Sequence, residues 1–368
     1  MKKFLALLPL FTASTLAADD VCAIPPPCVF LPSARPCVLN PCLLDQSDVY
    51  LQFSLLYWVA QERGLDYAIK NTQTQSNADL KIYQPSFDWE PAFRVQAGGH
   101  LPHDNWSLDF TYSFFIHHID SAAKHNFIGN FGEGLLAVWT APGAYHDRNI
   151  YARWQLAETK WKLNANFFDL MLRNDLCSGN ALSFQPAFGL KMATLQQRYT
   201  IAYSFGSSAT TGGVTETFVS SNINLKNRSF NIGPSAAMGS RWSLSPNWSI
   251  DGYLSGAILA SQFNVGRHEY DVSTTTTGQF GSYRFNDDYW TWRPQTTLSF
   301  GVEWGDCVCS KRKVVHYGFK GSYEMQYWWK QNMMLKQIDA PVAASQMVQP
   351  VQGDLVFQGV TIDIFFDF

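Results

Sequence analysis

Charge is what this sequence has least of. Asp, Glu, Lys and Arg make up 15% of its 368 residues, where an ordinary soluble domain carries about 25%. Nor is there a basic excess. The 27 Lys and Arg stand against 30 Asp and Glu, a formal net charge of −3, which excludes the basic face that nucleic-acid binding requires. After the first twenty residues there is no run of 18 apolar residues, which excludes a transmembrane helix. No HExxH motif occurs and no His/Cys grouping has zinc-site spacing, so no metal, cofactor or catalytic residue is expected. The one adjacent histidine pair, His117-His118, is expected to be solvated at a strand end.

Aromatic residues, by contrast, are plentiful: 15% of the chain, with 13 Trp. Mean hydropathy is only −0.14. A chain too polar for helical spans, yet too aromatic and charge-poor for a soluble domain, suits a membrane β-barrel, where every second strand residue meets lipid. Alternation supports this. Trp106, Leu108, Phe110, Tyr112, Phe114 and Ile116 share one face, against Ser107, Asp109, Thr111 and Ser113 on the other. Ten such segments are read at 48–61, 86–101, 106–118, 150–172, 181–199, 228–244, 248–264, 288–304, 314–330 and 354–368. In the fourth the phase slips near Asn164–Phe168, which suggests a bulge.

Connections alternate in length. Pro102–Asn105, Arg173–Asn180, Ser245–Asn247 and Gly305–Lys313 are short; 62–85, 119–149, 200–227, 265–287 and 331–353 are long and polar. The expected fold is therefore all-β: a transmembrane, antiparallel, up-and-down barrel. It has an even number of strands, at least ten, short periplasmic turns and long extracellular loops. Trp106, Trp242, Trp248 and Trp304 lie beside the short turns and Tyr57, Trp89, Trp290 and Tyr327 near the loops, as two interfacial belts would require. Lys2-Lys3, the apolar Phe4–Leu16 run and small residues around Ala17 read as a signal peptide at 1–17. A Cys/Pro-rich leader at 18–47 is expected in the periplasm, followed by the barrel at 48–368. The last strand ends on Phe368, similar to the assembly signal of bacterial outer-membrane proteins.

Tyr50–Asn71, Phe184–Ala193, Phe230–Trp242, Tyr323–Gln331 and the terminal GVTIDIFFDF together resemble the Legionella-type major outer-membrane, or pore-forming outer-membrane, protein family. The cysteine leader looks like that of a member from chlamydia-related bacteria, whose envelope proteins are disulfide cross-linked. The resemblance implies a barrel in the bacterial outer membrane and pore formation, and it supplies no residue-level mechanism.

Inward charges are the candidate pore lining: Arg94, Lys191, Arg293, Lys320 and Glu324 near mid-depth, with Asp109, Asp251 and Glu303 nearer the short turns. The excess of bases in the middle layer predicts a weak preference for anions. Seven cysteines, Cys22, Cys28, Cys37, Cys42, Cys177, Cys307 and Cys309, fall on the periplasmic side, outside the strands, where disulfides are permitted. Their odd number leaves one for a bond to another chain. Expected partners are outer-membrane lipid, the outer-membrane assembly machinery, small solutes, and disulfide-linked envelope proteins or further copies of the chain. The leading expectation for function is a porin, passing small hydrophilic solutes or ions without catalysis. The alternative is a plugged structural or adhesive barrel, cross-linked to its neighbours.

Overall fold

A computed structural model describes residues 49–74, 77–101, 106–125, 134–139, 153–178, 181–206, 208–211, 214–274, 280–310, 313–339 and 346–368. The segments expected to be a signal peptide and a leader, with Cys22, Cys28, Cys37 and Cys42, lie outside the described residues. Ten long strands form the wall: β1 (Val49–Glu62), β2 (Trp89–His100), β3 (Trp106–Lys124), β4 (Arg153–Asn174), β5 (Leu182–Gly206), β6 (Val214–Ser243), β7 (Trp248–Thr274), β8 (Phe280–Ser310), β9 (Lys313–Asn332) and β10 (Gly353–Asp367). Each pairs antiparallel with the next, and β10 pairs with β1 from Tyr50↔Asp367 to Glu62↔Leu355, which closes the ring. Phe368 donates its backbone N–H to Val49 O at 2.9 Å, so the two ends of the wall meet at the short-turn end.

Alternation does the sorting. On β1, Phe53, Leu55 and Tyr57 are exposed outward while Ser54, Leu56 and Trp58 are buried inside. The outward apolar stretch Val49–Tyr57, at about 3.3 Å per residue and a tilt near 40°, spans roughly 20 Å, close to the height of a membrane band. Outward Leu108, Phe110, Leu170, Leu190, Leu254, Ile258, Leu298, Phe300, Ile362 and Ile364 carry the band round the barrel. Trp242 and Trp248 form its lower rim. At the upper rim Tyr57 stacks on Trp89, with ring centroids 5.5 Å apart, and Trp290 and Trp292 are exposed.

Three features differ from the sequence reading. First, strands continue past the band into the segments read as long loops: β5 runs to Gly206, β7 to Thr274, and β8 starts at Phe280. Beyond the membrane the outer face meets water, so alternation fades while backbone pairing persists. Two further hairpin pairs, Ala68–Thr74 with Asn77–Tyr83 and Leu335–Asp339 with Gln346–Pro350, lie outside the ring. Second, β4 pairs in unbroken register with β3 from Trp106↔Asn174 to Lys124↔Leu156 and with β5 through the same region; there is no bulge at Asn164–Phe168. The apparent slip is a reversal of pattern. Below it Phe168 and Leu170 face out; above it Trp161, Leu163, Ala165 and Phe167 are buried inside and Lys160 and Lys162 face water. Third, Cys307 and Cys309 lie within β8, paired with His316 and Val314, and Cys177 lies in the short strand Leu176–Ser178. All three sit at the short-turn end as expected, but on strands, because pairing extends to Ser310↔Lys313 where a nine-residue connection was read.

Leu298→Arg, at the middle of the lipid-facing band, is expected to cost about 2–4 kcal/mol, and Gln262→Arg, outward at the upper rim beside Trp290, about 0–1. Urea titration of protein folded into phospholipid vesicles measures both; equal costs would remove Leu298 from the lipid face.

Candidate functional site, a divided lumen

The lower half of the lumen is polar. A cavity of about 210 Å³ is lined from all ten strands. The side chains that enter it are the inward members of the alternating pairs, placed there by the same register that turns their neighbours to lipid. Arg94 of β2 forks onto Glu324 of β9, Nη1–Oε2 at 2.8 Å and Nη2–Oε1 at 2.9 Å, and its Nε donates to Ser113 Oγ at 2.9 Å. Two parallel charge-assisted bonds make this the best-fixed pair in the lumen. Gln326 Nε2 donates to Glu324 Oε1 at 2.8 Å. Lys191 meets Asp169 at 2.7 Å. Arg241 bridges Asp251 at 3.1 Å and Glu303 at 2.8 Å, and Lys320 lies 3.7 Å from Asp251. Arg173 pairs with Asp109. Low dielectric forces this: a charge taken from water without a partner is costly.

The upper half is crossed by packed aromatic rings. Phe167 of β4 meets Trp328 of β9, centroids 5.5 Å apart. These strands stand five places apart in a ring of ten, so the contact crosses the full lumen. Phe357 lies 5.4 Å from both Phe115 and Phe167, and Trp58 lies 6.3 Å from Phe357. None of these five rings is more than 2% exposed. Trp58 lies flat on the wall because position 359 is glycine: a Cβ there would come within 2.8 Å of Trp58 Cδ1 and 2.2 Å of Tyr57 O. The lower face of Trp58 caps the Arg94 guanidinium, 5.4 Å from the ring centroid, so septum and charged chamber share a boundary.

Above the septum, connecting segments fold into the mouth. Tyr199 and Tyr203 hydroxyls donate to the carbonyls of Leu65 and Tyr67, at 2.6 and 2.5 Å. Trp139 Nε1 donates to Asp66 O at 2.6 Å. Fully buried Arg267 pairs with Glu269 and donates to the carbonyls of Leu335 and Trp139. Asn227 Nδ2 donates to Gln331 O at 2.8 Å. Pieces of three loops are thus tied to the inner wall by buried hydrogen bonds.

Of the eight lining candidates, Arg94, Lys191, Lys320, Glu324, Asp109, Asp251 and Glu303 border the cavity. Arg293 does not. It points inward but sits above the septum, over the Phe263 ring at 5.6 Å and 3.4 Å from Met333 Sδ, beside the outer-rim Trp292. Register places it there: Gln295 pairs with the septum residue Trp328, so Arg293 stands two residues further out, and counting from a turn at Gly305 overlooks the strand's continuation to Ser310. The expected excess of bases also fails. Five bases and six acids border the cavity: Arg293 drops out, and Asp169, hidden by the apparent slip in β4, stands beside Asp363, already expected just below the middle layer. The basis for anion preference is therefore gone. His117 is not a solvated histidine; it is fully buried, 5.6 Å from Trp161 and 5.7 Å from Phe115. The septum residues went unread because they share the inward parity of the polar lining. Their signal is the reversal itself, apolar inward residues at the outer third of strand after strand.

Glu324→Gln strands the nearly buried Arg94 guanidinium and should cost about 3–5 kcal/mol, while Arg94→Met combined with Glu324→Leu should recover most of that loss. Urea unfolding in vesicles reports both. A cost near zero for Glu324→Gln would mean that bulk water screens the pair.

The model of the family described as Legionella pneumophila major outer membrane protein precursor matches residues 39–368. Among solved structures, the Escherichia coli outer membrane protease OmpT is similar at 11% identity and a TM-score of 0.39, over 87% of this chain and 96% of that one. The P. putida toluene transporter TodX is similar at 8% identity and a TM-score of 0.24, over 90% and 93%. A Pseudomonas aeruginosa FadL homologue gives 8% and 0.25, over 89% and 93%. No curated protein sequence matches. The family match takes in all ten wall strands, and on it the chain belongs to the Legionella major outer membrane protein family and is a β-barrel of the bacterial outer membrane.

Proposed function

We propose that the chain is an outer-membrane pore for small hydrophilic solutes or ions, held closed at the aromatic septum in this conformation, and we assign it no catalytic step. The observation that carries this reading is the charged chamber. Eleven acidic and basic side chains border it, although the septum above shows that the same wall can be filled with aromatic rings. Ion pairs in a low-dielectric interior are often no more stabilising than apolar residues of the same volume, so filling the lower lumen with charge gives a scaffold no advantage. It gives a conduit what it needs: polar groups of both signs along the path of a hydrated solute. With five bases and six acids, ionic selectivity is expected to be slight.

One observation favours the alternative, a plugged structural barrel: the Phe167–Trp328 contact joins opposite walls, so moving the loops alone leaves the lumen blocked. Planar-bilayer recording separates the two. The pore reading predicts infrequent small steps from the native protein and larger, longer ones from Phe167→Ala with Trp328→Ala. Silence from both proteins, each shown folded by its heat-modifiable gel mobility, would leave the plugged reading.

A further inference from the structure

The outer surface of β3–β6 carries an array that neither the closure of the barrel nor its lumen uses. Register sets His118, Lys162, Arg198 and Lys226 side by side on four successive strands: His118 pairs with Lys162, Lys162 with Arg198, and Arg198 with Lys226. The alternation turns all four outward. Asn164, Gln196 and Arg228 form the row below, and Lys160 stands just above on β4. Like charges directly opposite one another on neighbouring strands are destabilising, and sheets commonly set opposite signs there. Here no acid enters the row. Asp120, the register partner of Lys160, and Glu158 stand above the row on β3 and β4, and Asp288 lies two strands from Arg228 across Asn264. None of Lys160, Lys162, Arg198, Lys226 and Arg228 forms an ion pair with a described residue.

The array begins where the lipid band stops. Arg228 stands two positions above outward Phe230, and Lys162 stands six above Phe168, with Asn164 and Asn166 between. On β1, β2 and β8 the upper rim is aromatic: Tyr57, Trp89, Trp290 and Trp292. The rim is thus divided into an indole and phenol sector on β1, β2 and β8, and a cationic sector on β4–β6. Aromatic rings suit the carbonyl and glycerol level of any lipid. Clustered Lys and Arg at that boundary suit anionic headgroups, and guanidinium groups match phosphate oxygens in bidentate fashion.

We infer that this sector docks the phosphorylated headgroup of an outer-leaflet glycolipid. Lys162, Arg198, Lys226 and Arg228 hold the phosphates, and the exposed amide of Gln196 in the row below is free to meet sugar hydroxyls. Phe168, Met192 and Phe230 below receive the acyl chains. Bound phosphate supplies the negative charge that the row of like charges lacks. Long Lys and Arg stems lie along the wall and extend their charged ends to the headgroup.

The test uses the full chain folded into phosphatidylcholine nanodiscs doped with bisphosphorylated lipid A or with the same lipid stripped of both phosphates. Retained lipid is counted by native mass spectrometry. The native protein is expected to keep the phosphorylated form at least about tenfold more tightly, because clustered Lys and Arg favour anionic headgroups. Lys162→Gln, Arg198→Gln, Lys226→Gln and Arg228→Gln together should abolish that preference. Arg284→Gln, an exposed base on β8 away from the row, should leave it intact, and millimolar inorganic phosphate should not displace the lipid. Equal retention of the two lipids by the native protein overturns the inference, and this comparison stands even if the quadruple variant does not fold. Preference retained in a folded quadruple variant overturns it, as does displacement by inorganic phosphate, which would mark a free-anion site.

Discussion

A barrel strand sends one row of side chains into lipid and the other into the lumen, and the rest of this structure depends on that two-fold sorting. Inside the membrane the outer row must be apolar, since no water is available to solvate anything else. The inner row is then free to be polar, and below the septum it is. Above the membrane the constraint reverses: the outer row meets water and the inner row can be dry. The strands run well past the band, β6 from Val214 to Ser243 and β8 from Phe280 to Ser310, so one strand obeys both rules in turn. β4 passes from Lys160 and Lys162 outside with Trp161 and Leu163 inside, to Leu170 outside with Asp169 inside, without any change of register. Septum, chamber and cationic rim are consequences of that reversal at different heights.

Energetically the two halves of the lumen are held by different means. The upper half resembles the core of a soluble protein: packed rings, with loop carbonyls satisfied by Tyr199, Tyr203, Trp139 and Arg267. Truncating such a ring costs about 3–5 kcal/mol in a soluble core. The lower half is held by mutual neutralisation, Arg94 with Glu324, Lys191 with Asp169, Arg241 with Asp251 and Glu303. These pairs do little for net stability against apolar filling, and they set the electrostatic character of the chamber. The Trp58 ring, packed against Phe357 on one side and over the Arg94 guanidinium on the other, couples the two regimes.

How much of this was legible in the sequence follows from the same physics. The ten wall strands, the closed ring, both aromatic rims and the inward turn of seven lining charges were readable, because inside the membrane the alternation is enforced on one face by lipid. What lay beyond the band was not. Polar-looking segments such as 200–227 hid strand, because pairing needs only backbone. The inner apolar residues Trp58, Phe115, Phe167, Trp328 and Phe357 gave no distinct local signal, since contacts between β4 and β9 bring together residues 161 positions apart. Asp169 was lost with the misread phase of β4, and with it the charge balance of the chamber. Arg293 shows that depth requires the pairing register, which alternation alone does not supply.

The division of the lumen into a polar chamber and a sealed aromatic half is tested most directly by solvent access from one side. With the native cysteines replaced, Ser299→Cys places a thiol on the chamber wall, and a membrane-impermeant thiol reagent is applied to intact cells. The sealed septum predicts no labelling from outside, rapid labelling once the periplasmic side is opened, and external labelling when Phe167→Ala and Trp328→Ala are added. External labelling of Ser299→Cys with the septum intact would contradict the account.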